Sequence, residues 1–477
     1  MITTMSHSHH TFKHRFFAVA SVFAGVTMVS GQAQAHTSEG GFVLLLPTDI
    51  YIASGVLAVA LTVAMLALVP DTVVGDLFRP VTLWRRHGWV LPKITSLLSS
   101  MFLFWLIYIG LEGPRDPLAN PMPLVIWTVW WVGLVFLQGL LGDLWRWINP
   151  WSGLIWLLRA ILGQQPLFRF PRQFGHVLGV FSFLAFVAFL LADTAPSDPA
   201  RLARAVAIYW GIHFTGIVLF GPRWERRAEG IGMVMRLYAQ LAPFGRVSQR
   251  NAAGLWGWQI LHGRVMPFGM ALLSLLVLAS GSFDGVNETF WWLAQLGLNP
   301  LEFPGRSAVV WQTLGGVAVS NVLLVAVFTG TLWLGLRIGR IKEVGLGRAF
   351  CLFAPTVLPI ALGYHFAHYF SSFLVEAQYA LIAATDPWAT GQDFLGLGQV
   401  YVTTGFFNSQ DSVRVLWLCQ AGGVVIGHIV AVLLAHAVAV QHFGSGRAAL
   451  LSQVPIAIFM ICYTFFGLWL LASPRGF

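Results

Sequence analysis

The sequence predicts an all-α polytopic membrane protein, with about ten transmembrane helices behind an export signal and both mature termini outside. Three observations carry that prediction. The 477 residues are 57% hydrophobic and only 10% charged, with a mean hydropathy of +0.73, a composition no ordinary soluble globule has. Apolar runs long enough for a bilayer core recur through the chain. The basic residues fall mostly in alternate loops between those runs, the pattern that sets membrane topology.

Taken in order, residues 1–35 read as a secretory signal peptide. Lys13 and Arg15 flank the short apolar core FFAVASVFAGVTMV, and Ala33-Gln34-Ala35 is a small-x-small cleavage site that would leave His36 first in the mature chain. Residues 36–477 then form a single transmembrane helical domain. Its expected spans are 49–69, 94–111, 121–142, 175–193, 203–221, 265–282, 309–336, 349–375, 413–438 and 452–472. With the mature N-terminus outside, the inner loops hold 20 Lys and Arg and the outer ones 6, which agrees with the export signal and places the protein in a bacterial inner (cytoplasmic) membrane. The formal net charge of +9 is therefore topological information and gives no reason to expect nucleic acid as a partner; membrane lipid is the partner expected. Segments 149–162 and 227–243 are too short or too polar to span and fit helices lying on the inner interface, and 288–297 fits one on the outer side. The 376–412 connection is the longest outer loop. In LGDLWRWINPW, residues 141–151, Asp143 and Arg146 are spaced to pair, and Asn149-Pro150 forces an elbow. Cys351, Cys419 and Cys462 are an odd number within apolar runs, read as buried small hydrophobes and not as a disulfide framework.

Chemistry points first to residues 348–378. His365 and His368 lie three apart, so both imidazoles leave nearly the same helix face, with Tyr364 and Tyr369 beside them. Ionisable groups within a span are costly and mark sites by default. The bland alternative is that both histidines are neutral interhelical glue. Glu376, at the expected outer end of the helix, is about 12 Å along the axis from His368, so it belongs to a vestibule and not to one coordination shell. His213 and His428 lie near the middle of their spans and would join a metal site if the bundle brings them together; His436 is expected to snorkel toward the inner face. Mature His36, with its free amine, is a further metal candidate. Outer carboxylates Glu39, Asp49, Asp284, Glu288, Glu302, Asp386 and Asp393 either attract a cation or simply solvate loops. Among them Asp284 stands out, because Gly281 and Gly285 bracket it in what reads as a tight turn ending a span. The chain has no nucleotide-binding glycine motif, Walker motif or HExxH, and nothing places a base beside a serine nucleophile.

The export signal ending at Ala35-His36, the LGDLWRWINPW elbow, GSFDG and above all APTVLPIALGYHFAHYFSSFLVEAQ resemble the bacterial integral membrane family of fenitrothion hydrolase and its components, across nearly the whole chain and in the same order. The resemblance implies a membrane hydrolase, or a hydrolase subunit, that cleaves an organophosphorus triester to a nitrophenol and a dialkyl thiophosphate, with a second membrane subunit as partner. A small apolar substrate of that kind partitions into lipid. On this expectation His365 and His368 are catalytic, either holding a divalent metal cofactor that activates water or acting as general base, with Tyr364, Tyr369, Glu376 and Asp284 around the substrate. Two other classes fit the same residues. One is a copper or other metal transport or handling protein, which His36, the intramembrane histidines and Met266, Met270 and Met460 also suit. The other is a non-catalytic subunit of a membrane complex.

Overall fold

The computed structural model describes residues 43–85, 90–163, 165–444 and 446–475. The expected signal peptide and His36 lie outside them. Among the described residues, nine helices are long and apolar enough to cross a membrane: α1 (Thr48–Leu66), α2 (Leu91–Glu112), α3 (Pro121–Leu140), α6 (Pro199–Phe220), α8 (Phe268–Asn287), α9 (Val310–Ile338), α10 (Leu346–Thr385), α11 (Gln410–Phe443) and α12 (Arg447–Ala472). Shorter helices include α4 (Ser152–Leu162), α5 (Val177–Ala192) and α7 (Gly230–Leu241), with several of seven residues or fewer in the connections. The protein is an all-α polytopic membrane protein.

The segment expected to span at 175–193 is α5, and it is shorter than expected. Its 16 residues rise about 24 Å, less than the roughly 30 Å of a bilayer core. At its start Gly175 takes a positive φ of 50°, and at its end the chain turns extended at Asp193.

Position in the bundle follows from which helices carry small and polar residues. Helices α8 and α10 are the centre, 78% and 72% buried over their most apolar stretches, against 22% for α1 at the periphery. In lipid, apolar surface alone does not drive helices together, so close packing must. Helix α10 meets α11 through Gly363, Gly423 and Gly427: a Cβ on Gly363 would run into Gly423 O, and one on Gly427 into Pro359 O. These glycines let two backbones touch.

Helix α7 departs from the interfacial placement the sequence suggested. Nine of its twelve residues are buried, packed against α3, α5 and α8. A short helix buried in a bundle must have its free terminal N–H and C=O groups satisfied. Glu229 accepts from Ile231 N and Gly232 N at 2.9 and 2.6 Å, and Gln259 Nε2 donates to Ala239 O and Ala242 O, each at 2.8 Å. At mid-helix Gln138 Nε2 donates to Met235 O at 2.9 Å. Glycines again permit the approach, since a Cβ on Gly230 would meet Gly179 O and Phe183 N of α5.

One end of the bundle carries a feature not expected from the sequence, a small antiparallel sheet of β1 (Val81–Arg85), β2 (Phe244–Val247) and β3 (Arg250–Ala253) in the order β1-β3-β2. The elbow lies at the same end. Asn149 accepts from Trp151 N and Ser152 N and donates to Glu225 Oε1 at 2.9 Å, so the turn is held by its asparagine. Asp143 lies 4.0 Å from Arg246 of β2, not on Arg146. The expected burial of the cysteines also fails for two of three: Cys419 and Cys462 sit on the outside of the bundle and Cys351 is half-buried.

Candidate metal centre

The site is built where the last turns of α8 meet the middle of α10. Residues 281–285, expected as a turn, are helical, and the glycines serve packing instead. Gly285 leaves room for the Tyr364 hydroxyl, which a Cβ there would strike, and Gly281 faces the same ring. The face of α8 that presents these glycines also brings Asp284 against α10.

Asp284 is the centre of the cluster. His368 Nε2 lies 3.2 Å from its Oδ2, and the Tyr369 hydroxyl donates to the same oxygen. Asp284 and His368 are deep in the bundle, 8% and 6% exposed, and Tyr369 is half-buried. One turn after Asp284, at the C-terminal end of α8, Glu288 completes a group with Asp284 and His368 in which one ligand atom from each lies within 4.8 Å of the others. Burial pushes the Glu288 carboxyl up, while His368 and Arg475 pull it back down. His368 stacks on Tyr364 at 5.7 Å with 13° between the rings. Two buried atoms here have no hydrogen-bond partner, His368 Nδ1 and Tyr364 Oη. Unmatched polar atoms in a protein interior are uncommon and call for a physical reason.

His365 does not join this group. Its Nε2 donates to Trp131 O at 3.0 Å, so that nitrogen carries a proton and offers no lone pair. The acceptor belongs to an unusual stretch of α3, Leu124–Leu134, wound as a π-helix. Such segments gather at functional sites. From the same stretch, Trp131 Nε1 reaches Tyr369 Oη at 3.4 Å and Thr128 donates to Glu376 Oε2 at 2.5 Å. Helix α10 runs ten residues past its expected end, so Glu376 is within the helix and not at its mouth. The long connection accordingly starts only at Asp386.

The other sequence candidates lie elsewhere. His213 Nδ1 accepts from Trp224 Nε1 at 3.1 Å, and its Nε2 donates to Ser182 at 3.1 Å. From there Ser182 reaches Tyr209 at 3.2 Å, and Tyr209 donates to Glu229 at 2.5 Å. His428 Nδ1 donates to Val424 O of its own helix at 2.9 Å. His436 is 1% exposed and bonded to Gln453 at 3.0 Å, so it does not snorkel. Met270 lies at the far end of α8, about 21 Å along the axis from Asp284, and Met266 just precedes that helix.

A cavity of about 40 Å³ adjoins the cluster. Asp284, His365, His368 and Tyr369 face it on one side, and α5 closes the other with Phe183 and Val187. Each water needs about 10–15 Å³ by this measure, so the space holds a few waters or an ion with its water and no larger molecule.

Sequence reasoning missed Glu288, read only as a loop carboxylate, and Trp131. Glu288 had a signal: it follows Asp284 by four residues, which puts both carboxylates on one helix face. Nothing in the local sequence marks the π-helix.

No family model, curated protein or solved structure matches the chain.

Proposed function

We propose that this chain is a metal-handling membrane protein that binds a divalent cation at Asp284, Glu288 and His368. The observation that carries the reading is the convergence of two carboxylates and an imidazole inside a membrane bundle, beside a small cavity. One imidazole and two carboxylates suit zinc, manganese or ferrous iron better than copper(I), whose soft thioether ligands are absent from the site. Tetrahedral ligands about 2.1 Å from zinc stand about 3.4 Å apart. The His368–Asp284 edge already measures 3.2 Å, and the edges to Glu288, within 4.8 Å, close by up to about 1.4 Å through a side-chain rotation. The Lys and Arg asymmetry supports an orientation in which this end of the bundle faces the periplasm, behind a cleaved signal and with both termini outside.

The test is metal analysis and calorimetry on purified full-length protein. About one Zn²⁺ or Mn²⁺ per chain, lost in Asp284→Asn and His368→Ala and kept in His365→Ala, supports the reading. Equal binding by all four proteins, or none by the wild type, overturns it.

One observation favours a second reading, hydrolysis of an apolar phosphotriester: the cavity beside the cluster has an apolar wall from α5 and α8, including Phe183, Val187, Leu190 and Val277. A bound divalent metal would supply an activated water there. Tyr369 would hold Asp284 in place, and His368 would be a ligand to the metal. The cavity is too small for a triester, so this reading requires α5 to move away. Chelator-sensitive nitrophenol release by the purified chain tests it, and metal binding without release leaves transport or storage.

A further inference from the structure

The chain's last described residues close over the cluster. Beyond α12 the backbone turns back along the end of α8: Arg475 forms an antiparallel bridge with Thr289, and Phe290 N donates to Pro474 O at 3.0 Å. These main-chain bonds hold the Arg475 guanidinium at Glu288, with Nη1 3.4 Å from Oε2. Glu288 is the ligand that must move to complete a metal site, and it is the one already engaged by a cation.

The neighbouring Arg306 provides the contrast. Its Nη1 donates to Leu190 O and Asp193 O at 3.2 and 3.4 Å, so its charge is committed to backbone carbonyls at the end of α5. Arg475 has no such commitment among its described contacts, and its side chain is 29% exposed, free to withdraw toward the membrane surface.

We infer that Arg475 is an internal cation that competes with the metal for Glu288 and so sets the affinity of the site. The inference rests on the metal-binding reading of the Asp284–Glu288–His368 cluster. A guanidinium keeps its charge at every physiological pH, so the competition is always present. With Arg475 in place Glu288 is drawn to the rim. When a divalent ion enters, the arginine leaves and the carboxylate rotates inward. With both cations present, three positive charges would face two carboxylates in a poorly screened space, so one must go. Because the backbone of residues 474 and 475 is tied to 289 and 290, only the side chain has to move.

The experiment is Zn²⁺ titration of full-length protein in detergent for wild type, Arg475→Gln, Arg475→Lys, Glu288→Gln and the Glu288→Gln/Arg475→Gln double variant. Removing the competing charge is expected to tighten binding about tenfold in Arg475→Gln. Arg475→Lys, which keeps the charge, stays near wild type, and the gain vanishes when Glu288 is already Gln. Thermal melts show whether each variant is folded, and Arg475→Lys reports on the charge even where Arg475→Gln is unstable. If the wild type binds zinc and Arg475→Gln binds it equally or more weakly, the competition is wrong and the metal site stands. If no variant binds metal, the metal reading itself fails, and the competition with it.

Discussion

Two buried polar networks lie toward opposite ends of this bundle, and they differ in how completely they are matched. The one around Glu229 is closed. Trp224 donates to His213, His213 to Ser182, Ser182 reaches Tyr209, and Tyr209 donates to Glu229, whose oxygens also cap α7. The donors run in one direction and end on a carboxylate, which fixes the tautomer of His213. The network around Asp284 is open. It leaves His368 Nδ1 and Tyr364 Oη without partners, adjoins a cavity, and borrows a cation from Arg475, beyond α12. A closed network rigidifies a fold; an open one keeps capacity for a ligand. Both contain a histidine within a span, so a histidine in lipid does not by itself distinguish glue from site. The state of its second nitrogen and its neighbours does.

The comparison breaks most decisively at Asp284. Asp284→Ala leaves His368 and the Tyr369 hydroxyl facing nothing, and the expected cost is about 3 kcal/mol of stability together with complete loss of bound metal. Thermal unfolding and metal analysis of the same preparation check both. Next in size, His368→Ala should weaken metal binding by about 100-fold or more, whereas His365→Ala should change it by less than about threefold; calorimetry separates them. In the closed network, Tyr209→Phe removes a donor from Glu229 and should cost about 1–2 kcal/mol with metal affinity unchanged. Loss of metal in that variant would erase the distinction between the two regions.

The most gradual expected effect is a pH slope. Burial pushes the Glu229 carboxyl up to about 7, against the hydrogen bonds from Tyr209 and Gly232 that favour the anion. An acid with a raised folded pKa binds its proton more tightly in the fold than in the unfolded chain. Its contribution to stability is therefore complete below the ordinary glutamate range and is lost as pH rises toward 7. Stability should fall with a slope of at most about 1.4 kcal/mol per pH unit across that window, and Glu229→Gln should flatten it. Melting curves at pH 5, 6 and 7.5 measure the slope; an unchanged slope in Glu229→Gln would assign it to other groups.

How much was legible depended on the range of the interaction. The membrane class was legible because bilayer thickness imposes a local length on apolar runs, and Phe268–Asn287 or Arg447–Ala472 satisfy it without reference to any other segment. The placement of 227–243 was not, because its polarity fits an interface as well as a buried helix. What decides is that Gln259, some twenty residues away, satisfies its C-terminal carbonyls. The site was half legible. His368 was recognised as a costly group within a span, with Tyr369 beside it, but Asp284 was singled out only as an outer carboxylate on a turn and His365 was given equal weight with His368. Only the backbone of α3 separates the two histidines, since Trp131 O takes the proton of one and leaves the other to Asp284.

By itself, then, the sequence determined that this chain is a helical membrane protein, and that ionisable residues within its spans, His368 among them, are expensive enough in lipid to matter. Composition and hydrophobic length act locally and survive any rearrangement of the helices. The tertiary structure alone decided which of those residues meet. Asp284 and His368 are 84 residues apart in the chain (368 − 284) and their contact depends on glycines that let α8 and α10 close to within a hydroxyl's width. The counter-ion for Glu288 comes from residue 475, brought there by a two-residue main-chain pairing that no apolar pattern encodes.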